Sequence, residues 1–368
     1  MNKIIISTTS IKSLLADVVK VIPKSPDSPI MGYLLFEVVD RTLHITSTNL
    51  KTFFTASTTS FDCNRGASIT GCTKATILEH INNLDDEPLT IEFCDDFSVK
   101  VSSSDDVAIF EGTNPIQFPR QSSPPGEKTI VSDTSLLNEI SLQVQLMGNR
   151  NHPETQGAEF RHGSASFNLT STNGFVLRST DQRAEDLRPF RKFIVPEAAC
   201  RLLAMFRSGK NQLASKLEIS VEETEVWFFF ASPKGHQIKI ATKLLPLEFP
   251  DWRSKMPSIF DSSFAGETER LNKVLSRSKV FAKDNGGVVD LIVANGKIQF
   301  SSEGVNTYKA EAFGDSEGAE TKMSFDPNVL ASVTNLLSSK VFTVSFSPKR
   351  FARFTEGDSV MYVGSCKQ

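Results

Sequence analysis

Cysteine is scarce: five residues in 368, Cys63, Cys72, Cys94, Cys200 and Cys366, no two at the spacing of a zinc or redox motif. They read as reduced, packed thiols. The five histidines are scattered, none four residues from another, which excludes a helical metal pair; no metal or cofactor is expected. Nowhere do roughly 20 apolar residues run together, as a membrane span requires. The start, MNKIIISTTSIKSLL, lacks the apolar core and cleavage site of a secretory signal, so a cytoplasmic protein without a membrane partner is expected. Neither sign of charge dominates: 40 Lys and Arg stand against 43 Asp and Glu, a net charge of −3. Nucleic-acid binding by bulk positive charge is thereby excluded, and any such role must rest on a local basic surface. A Gly-rich phosphate loop, a Gly-x-Ser-x-Gly elbow and a His-Glu-x-x-His pair are all missing. Asp85, Asp86, Glu87, Asp95 and Asp96 flank a strand at turn positions and read as solvated turns. A hydrolase built on Asp85, Asp86 or Asp95 is the enzymatic alternative, and no catalytic constellation is expected.

What the chain has is a long-period repeat. Residues 43–54 read LHITSTNLKTFF and 167–178 read FNLTSTNGFVLR, an offset of 124, with a weaker copy, IQFSSEGVNTYK, at 298–309. Segments 68–93, 193–220 and 323–347 each read strand, helix, strand, and AIFEGTNPIQFPR (108–120) recurs as KIATKLLPLEFPDWR (239–253). At 39% apolar and 23% charged residues the composition is that of a globular protein, and 368 residues exceed a single core. Three domains are expected: 1–124, 125–256 and 257–368, with linkers at Ser-Ser-Pro-Pro-Gly (122–126) and Met-Pro-Ser (256–258). The predicted class is α+β, each domain two helices on a mainly antiparallel sheet. Helices are predicted near 10–21, 133–147 and 267–282, and near 73–84, 196–208 and 326–338. Asp326-Pro327 reads as a helix start, Ser208-Gly209 as a helix end, and Asn285-Gly286-Gly287 and Asn295-Gly296 as hairpin turns. In the strand at 35–38, Phe36 and Val38 alternate against Leu35 and Glu37. Arg270, Lys273 and Arg277 share one face of the fifth helix, opposite Leu271, Val274 and Leu275.

Pro29-Ile30-Met31-Gly32 before a strand pair, Ser-Thr-Asn-Gly at 171–174 followed by Val176-Leu177, and Phe249-Pro250-Asp251-Trp252-Arg253 occur in the order found in the bacterial sliding clamp, the β subunit of DNA polymerase III. The chain resembles that family along its whole length. The resemblance implies half of a ring: a head-to-tail homodimer of six similar domains that encloses duplex DNA without reading sequence. It implies partners in DNA polymerase and clamp-loader subunits, held through short linear motifs. DNA-facing cations would be Lys12 and Lys20 on the first helix, Lys24 after it, Arg201 and Arg207 on the fourth, and Arg270, Lys273 and Arg277. Asn149 and Arg150, with His152, would lie at the rim, where Pro153 and Glu154 replace an aromatic pair and remove stacking contacts.

By the same resemblance a partner-peptide groove would use Thr155, Thr172, Gly174, Val176, Leu177 and Pro250 with Tyr362, Val363, Gly364 and Cys366. Familiar members carry Arg where Val176 stands and end Met-Pro-Met-Arg-Leu, whereas this chain ends Gly-Ser-Cys-Lys-Gln. A differently shaped pocket, weak for the usual Gln-and-Leu-containing peptide, is therefore expected; read from the residues alone, Val176 and Leu177 are equally strand core. The dimer interface would set Lys74, with the second helix, and Ile109-Phe110 against Val280-Phe281, with Glu303 as a counter-charge. The alternatives are a clamp paralogue serving a mobile element or a specialised repair polymerase, and a repeat-built adaptor that encloses no DNA.

Overall fold

The computed structural model describes residues 2–63, 68–148, 151–207, 215–283 and 285–366. One order of elements occurs three times, the third time with a single long strand where the others have two. The first repeat runs β1 (Asn2–Ser7), α1 (Thr8–Val18), β2 (Tyr33–Val39), β3 (Thr42–Thr48), β4 (Thr52–Thr58) and β5 (Asp62–Cys63). It continues with β6 (Ile69–Lys74), α2 (Ile77–Asn82), β7 (Pro88–Phe93), β8 (Val99–Ser102) and β9 (Val107–Phe110). The second runs β10 (Ile130–Asp133), α3 (Ser135–Gln143), β11 (Gly157–His162), β12 (Ser166–Thr172), β13 (Val176–Arg183) and β14 (Asp186–Leu187). Then come β15 (Phe193–Pro196), α4 (Glu197–Ala204), β16 (Lys216–Val221), β17 (Glu225–Ala231) and β18 (Gln237–Lys243). The third has β19 (Ser262–Glu267), α5 (Thr268–Ala282), β20 (Val289–Ala294), β21 (Lys297–Glu303) and the long β22 (Thr307–Gly318). It ends with β23 (Thr321–Phe325), α6 (Pro327–Thr334), β24 (Val341–Ser347), β25 (Phe351–Glu356) and β26 (Ser359–Gly364).

By contacts the chain forms two compact units that do not follow the repeats: Met1–Asn138 with Ala184–Phe190 and Ala198–Leu245, and Glu139–Arg183 with Arg191–Glu197 and Pro246–Gln368. The first unit holds two sheets, β5-β1-β7-β8-β9 and β14-β10-β16-β17-β18-β4-β3-β2-β6. The second holds one, β15-β11-β12-β13-β26-β25-β24-β19-β22-β21-β20-β23. Every pairing is antiparallel. The α+β class and its antiparallel sheets agree with expectation. Two of the three sheets pass from one repeat into the next through a joint. β4 pairs β18, from Thr52↔Thr242 to Ser57↔Gln237, and β13 pairs β26, from Val176↔Val363 to Thr180↔Ser359.

Local chemistry explains the elements and corrects several expectations. Ser7 caps α1 by accepting from the Ser10 N–H, and Asp86 accepts from Thr9 N and Oγ1 at the same helix start. Asp326 accepts from the Asn328 N–H, with Pro327 opening α6. Asn295 (φ 53°) and Gly296 (φ 72°) make the tight turn between β20 and β21. Asn285-Gly286-Gly287 is instead the end of α5: the Gly287 N–H reaches the Ala282 carbonyl, and the glycines take the left-handed conformation a helix stop requires. The second helices are shorter than predicted, and at α2 the cause is that Ile69–Lys74 pairs as a strand and takes the predicted start. Lys74 accordingly lies at the end of β6, opposite Tyr33, and not with α2. Arg207 follows α4 and is not on it, and Lys20 sits in the single 3-10 turn Val19–Val21. Leu35 is buried on the face opposite Phe36, against Cys72 and Phe118, so the Phe-Pro linker after the first repeat covers that face. Ser208 and Gly209 lie outside the described residues.

Candidate functional site

Of the proposed DNA-facing cations, Arg270, Lys273 and Arg277 are exposed on α5, whose Leu271, Val274 and Leu275 are buried in the core. Arg270 donates to the Glu311 carbonyl at 2.7 Å, and Lys273 pairs with Glu269 at 2.6 Å, which holds that carboxyl below its ordinary range. Lys12 donates to the Leu84 carbonyl (2.7 Å), and Lys20 pairs with Asp17 (2.7 Å) while lying 4.5 Å over the Phe206 ring. Lys24, Arg201 and Arg207 are exposed. Asn149 and Arg150 lie outside the described residues; His152 is 3.2 Å from Glu154. The acidic clusters serve turns: besides Asp86, Asp96 accepts from Ser98 N and Oγ, which lowers its pKa.

The β13·β26 joint brings four groove candidates together, opposing Val176 to Val363 and Leu177 to Tyr362. Val176, however, is 1% exposed and packs in the core with Leu146, Leu275 and Val363; Leu177 and Val363 are also buried. Both faces of this central strand are covered, so Val176, Leu177 and Val363 present little open surface. Thr172 Oγ1 donates to the Val176 carbonyl (2.7 Å) and accepts from the Gly174 N–H (3.1 Å); Gly174, at φ 89°, turns the chain. Thr155 is buried and donates to the His152 carbonyl. Pro250 and Tyr362 are half-buried, with Trp252 6.1 Å from Tyr362 and Arg253 4.3 Å over Trp252. Gly364 is exposed, and the Cys366 N–H bonds the Ser324 carbonyl. Phe175, unmarked by the sequence reading, is strongly exposed beside this turn.

The interface candidates gather on two strand edges. Among the described residues β9 pairs only with β8, and its outer edge carries Ile109, 70% exposed, and Val107. Phe110 rests 5.6 Å from His80 of α2, and Lys74 pairs with Glu111. The second edge is the first half of β22. Thr307–Phe313 pairs β21, whereas β19 takes up only Gly314–Gly318, so one side of the first half has no ladder partner among the described residues. There Phe281 stacks on Tyr308 at 5.1 Å, Val280 and Phe313 are exposed, and Glu303 pairs with Lys309 (3.3 Å). Phe313, Val107 and β22 were missed by sequence reasoning, since an unpaired edge has no composition of its own.

No protein-family model and no curated protein matches the sequence. Solved structures do match along essentially the whole of both chains. The β subunit of the Streptococcus pyogenes DNA polymerase superposes with a TM-score of 0.87 at 16% identity, covering 100% of each chain. The DNA polymerase sliding clamp of Bacillus subtilis gives 0.87 at 18% identity, covering 100% of this chain and 99% of that one. That of Pseudomonas aeruginosa, solved with a ligand, gives 0.85 at 15%, covering 100% of each. With three repeats of one element order and matches at this level over the whole length, the chain has the three-domain fold of the bacterial DNA polymerase sliding clamps.

Proposed function

We propose that the chain is a DNA sliding clamp of three domains, 1–124, 125–256 and 257–368, working as a head-to-tail homodimer in the cytoplasm. It encircles duplex DNA and tethers a DNA polymerase for processive synthesis. The observation that carries the reading is the pair of leftover strand edges. In both joints within the chain, the last strand of a repeat, β18 or β26, pairs the third strand after the first helix of the preceding repeat, β4 or β13. β9 and β22 hold the same two places in the element order and are left unjoined. Pairing β9 of one protomer with β22 of its partner, twice, would close a heterologous ring and use up these two edges. The apolar residues on these edges, Ile109, Phe281 and Phe313, supply what such a joint would bury.

Cations that slide on phosphates need no fixed partner on DNA, and the exposed face of α5 suits that role. The chain itself supplies no nucleotide-binding loop, so loading falls to an ATP-driven partner. Buried Val176 favours a partner motif of the clamp's own, as for a paralogue with a dedicated polymerase. Sedimentation over a dilution series should give a mass near twice 40.6 kDa into the nanomolar range, and the protein should stay on circular DNA and run off linear ends. A monomer at micromolar concentration, indifferent to DNA topology, overturns the ring. Submicromolar binding of a generic clamp-binding peptide overturns the altered groove.

A further inference from the structure

The outer face of the β4·β18 joint holds a pocket of about 490 Å³, lined by Thr42 and His44 of β3, Ser57 of β4, Gln237 and Lys239 of β18, and Phe229 of β17. That volume takes a small metabolite. His44 Nδ1 lies 2.7 Å from Ser57 Oγ, and Thr46 and Thr55 hydroxyls pair at 2.9 Å in the next row. Lys239 is half-buried and makes no ion pair or hydrogen bond among the described residues. Glu37 of β2, whose charge acts on Lys239, is held by Arg120 at 2.6 Å, and Lys128, ion-paired with Glu218 at 3.5 Å, lies 3.6 Å over the Phe229 ring. The lining therefore sets one cation, Lys239, among hydroxyl and amide groups, with no carboxylate in it.

The second joint supplies a control within the same chain. By the 124-residue offset, His44, Ser57, Thr46 and Thr55 correspond to Asn168, Asp181, Thr170 and Ser179, and the same cross-strand bonds recur: Asn168 to Asp181 at 3.1 Å, Thr170 to Ser179 at 3.0 Å. The place of Lys239, opposite Thr55, is taken there by Val360, opposite Ser179. At that joint the chain's own Arg253 lies over the row, donating to Asn168 Oδ1 at 2.7 Å and lying 3.6 Å from the buried Glu159. A carboxylate-lined row thus takes a guanidinium. The charge pattern of the first joint is the reverse, and its linker arginine, Arg120, is turned to Glu37 instead.

We propose that the first-joint pocket binds a small ligand bearing an oxyanion, a phosphate monoester or a carboxylate, with Lys239 as its counter-charge and His44, Ser57 and Gln237 as hydrogen-bonding groups. A charge-assisted bond to a half-buried ammonium is the strong contact, and the hydroxyls orient the ligand. The inference rests on this pocket alone and is independent of ring closure. Titration calorimetry on the full chain with inorganic phosphate, deoxyadenosine monophosphate and succinate tests it. At least one should bind with a Kd of about 1 mM or tighter, and Lys239→Met should weaken that binding by about tenfold or more. Binding of phosphate and nucleotide without succinate identifies a phosphate ester; succinate alone identifies a carboxylate. Ser57→Asp, which copies the second joint, should abolish binding and serves if Lys239→Met does not fold. No binding by any probe at about 10 mM, or binding unchanged in a folded variant, overturns the proposal.

Discussion

At the joint between the first and second repeats the core face is sealed by rings: Phe206 lies 5.6 Å from Phe54 and 5.4 Å from Phe230. At the joint between the second and third, the position matching Phe54 is Arg178, 2% exposed, whose Nε and Nη2 donate to Glu139 at 2.8 and 2.9 Å. Ser359 accepts a further bond from Arg178, and Thr180 donates to Glu139. The outer faces differ as much, Lys239 and His44 against Asp181 and Arg253. Both joints nevertheless keep one antiparallel ladder and one internal tie, Ser47 to the Val18 carbonyl and Ser171 to that of Gln143. The lesson is that backbone pairing sets the joint, and either an apolar or a fully bonded ionic filling can close it.

Breaking each filling should separate them. Arg178→Met strands the Glu139 carboxylate and should cost about 3–5 kcal/mol in urea unfolding, whereas Arg178→Met with Glu139→Leu should recover most of the loss. A double variant as unstable as the single would mean that packing, not charge, matters there. Phe206→Ala at the first joint should cost about 3 kcal/mol, with no partner substitution able to restore it. The unjoined edges extend the comparison. Ile109→Lys should leave thermal unfolding of the monomer unchanged yet weaken dimerisation by about tenfold or more, read by sedimentation, because a charge on an exposed edge opposes only intermolecular pairing.

The smallest effect concerns Lys239. Burial pushes its ammonium below the ordinary 10.5, opposed by Glu37. A cation whose folded pKa is lowered binds its proton more weakly folded than unfolded, so it destabilises below the folded pKa, and the penalty disappears as pH rises toward 10.5. Lys239→Met should therefore raise Tm slightly at pH 7, a gain that shrinks toward pH 10.5. The neighbouring His44, lowered first by burial and then by the Lys239 charge, should rise in pKa in that variant, as proton NMR would record.

Much of this was legible in the chain. The Thr-Ser-Thr-Asn copies set matching strands in register, Asp326-Pro327 and Asn295-Gly296 marked a helix start and a hairpin, and the stripe of α5 separated Arg270, Lys273 and Arg277 from the core, because each signal lies within a few residues. Sequence likewise carried the repeat and the recurring Phe-Pro segments at 108–120 and 239–253. It left Val176 open between groove and core, and it did not reveal that Lys74 belongs to a strand or that Lys239 meets His44 across two chain segments. Those depend on ladders such as Thr52 with Thr242, whose hydroxyls lie 3.0 Å apart. Local pattern determined the elements and their order, since propensity and period act through neighbours in sequence. Only the tertiary structure decided which edges are joined, which are left over and which charges stand unpaired, since strand pairing and burial are fixed by what packs alongside.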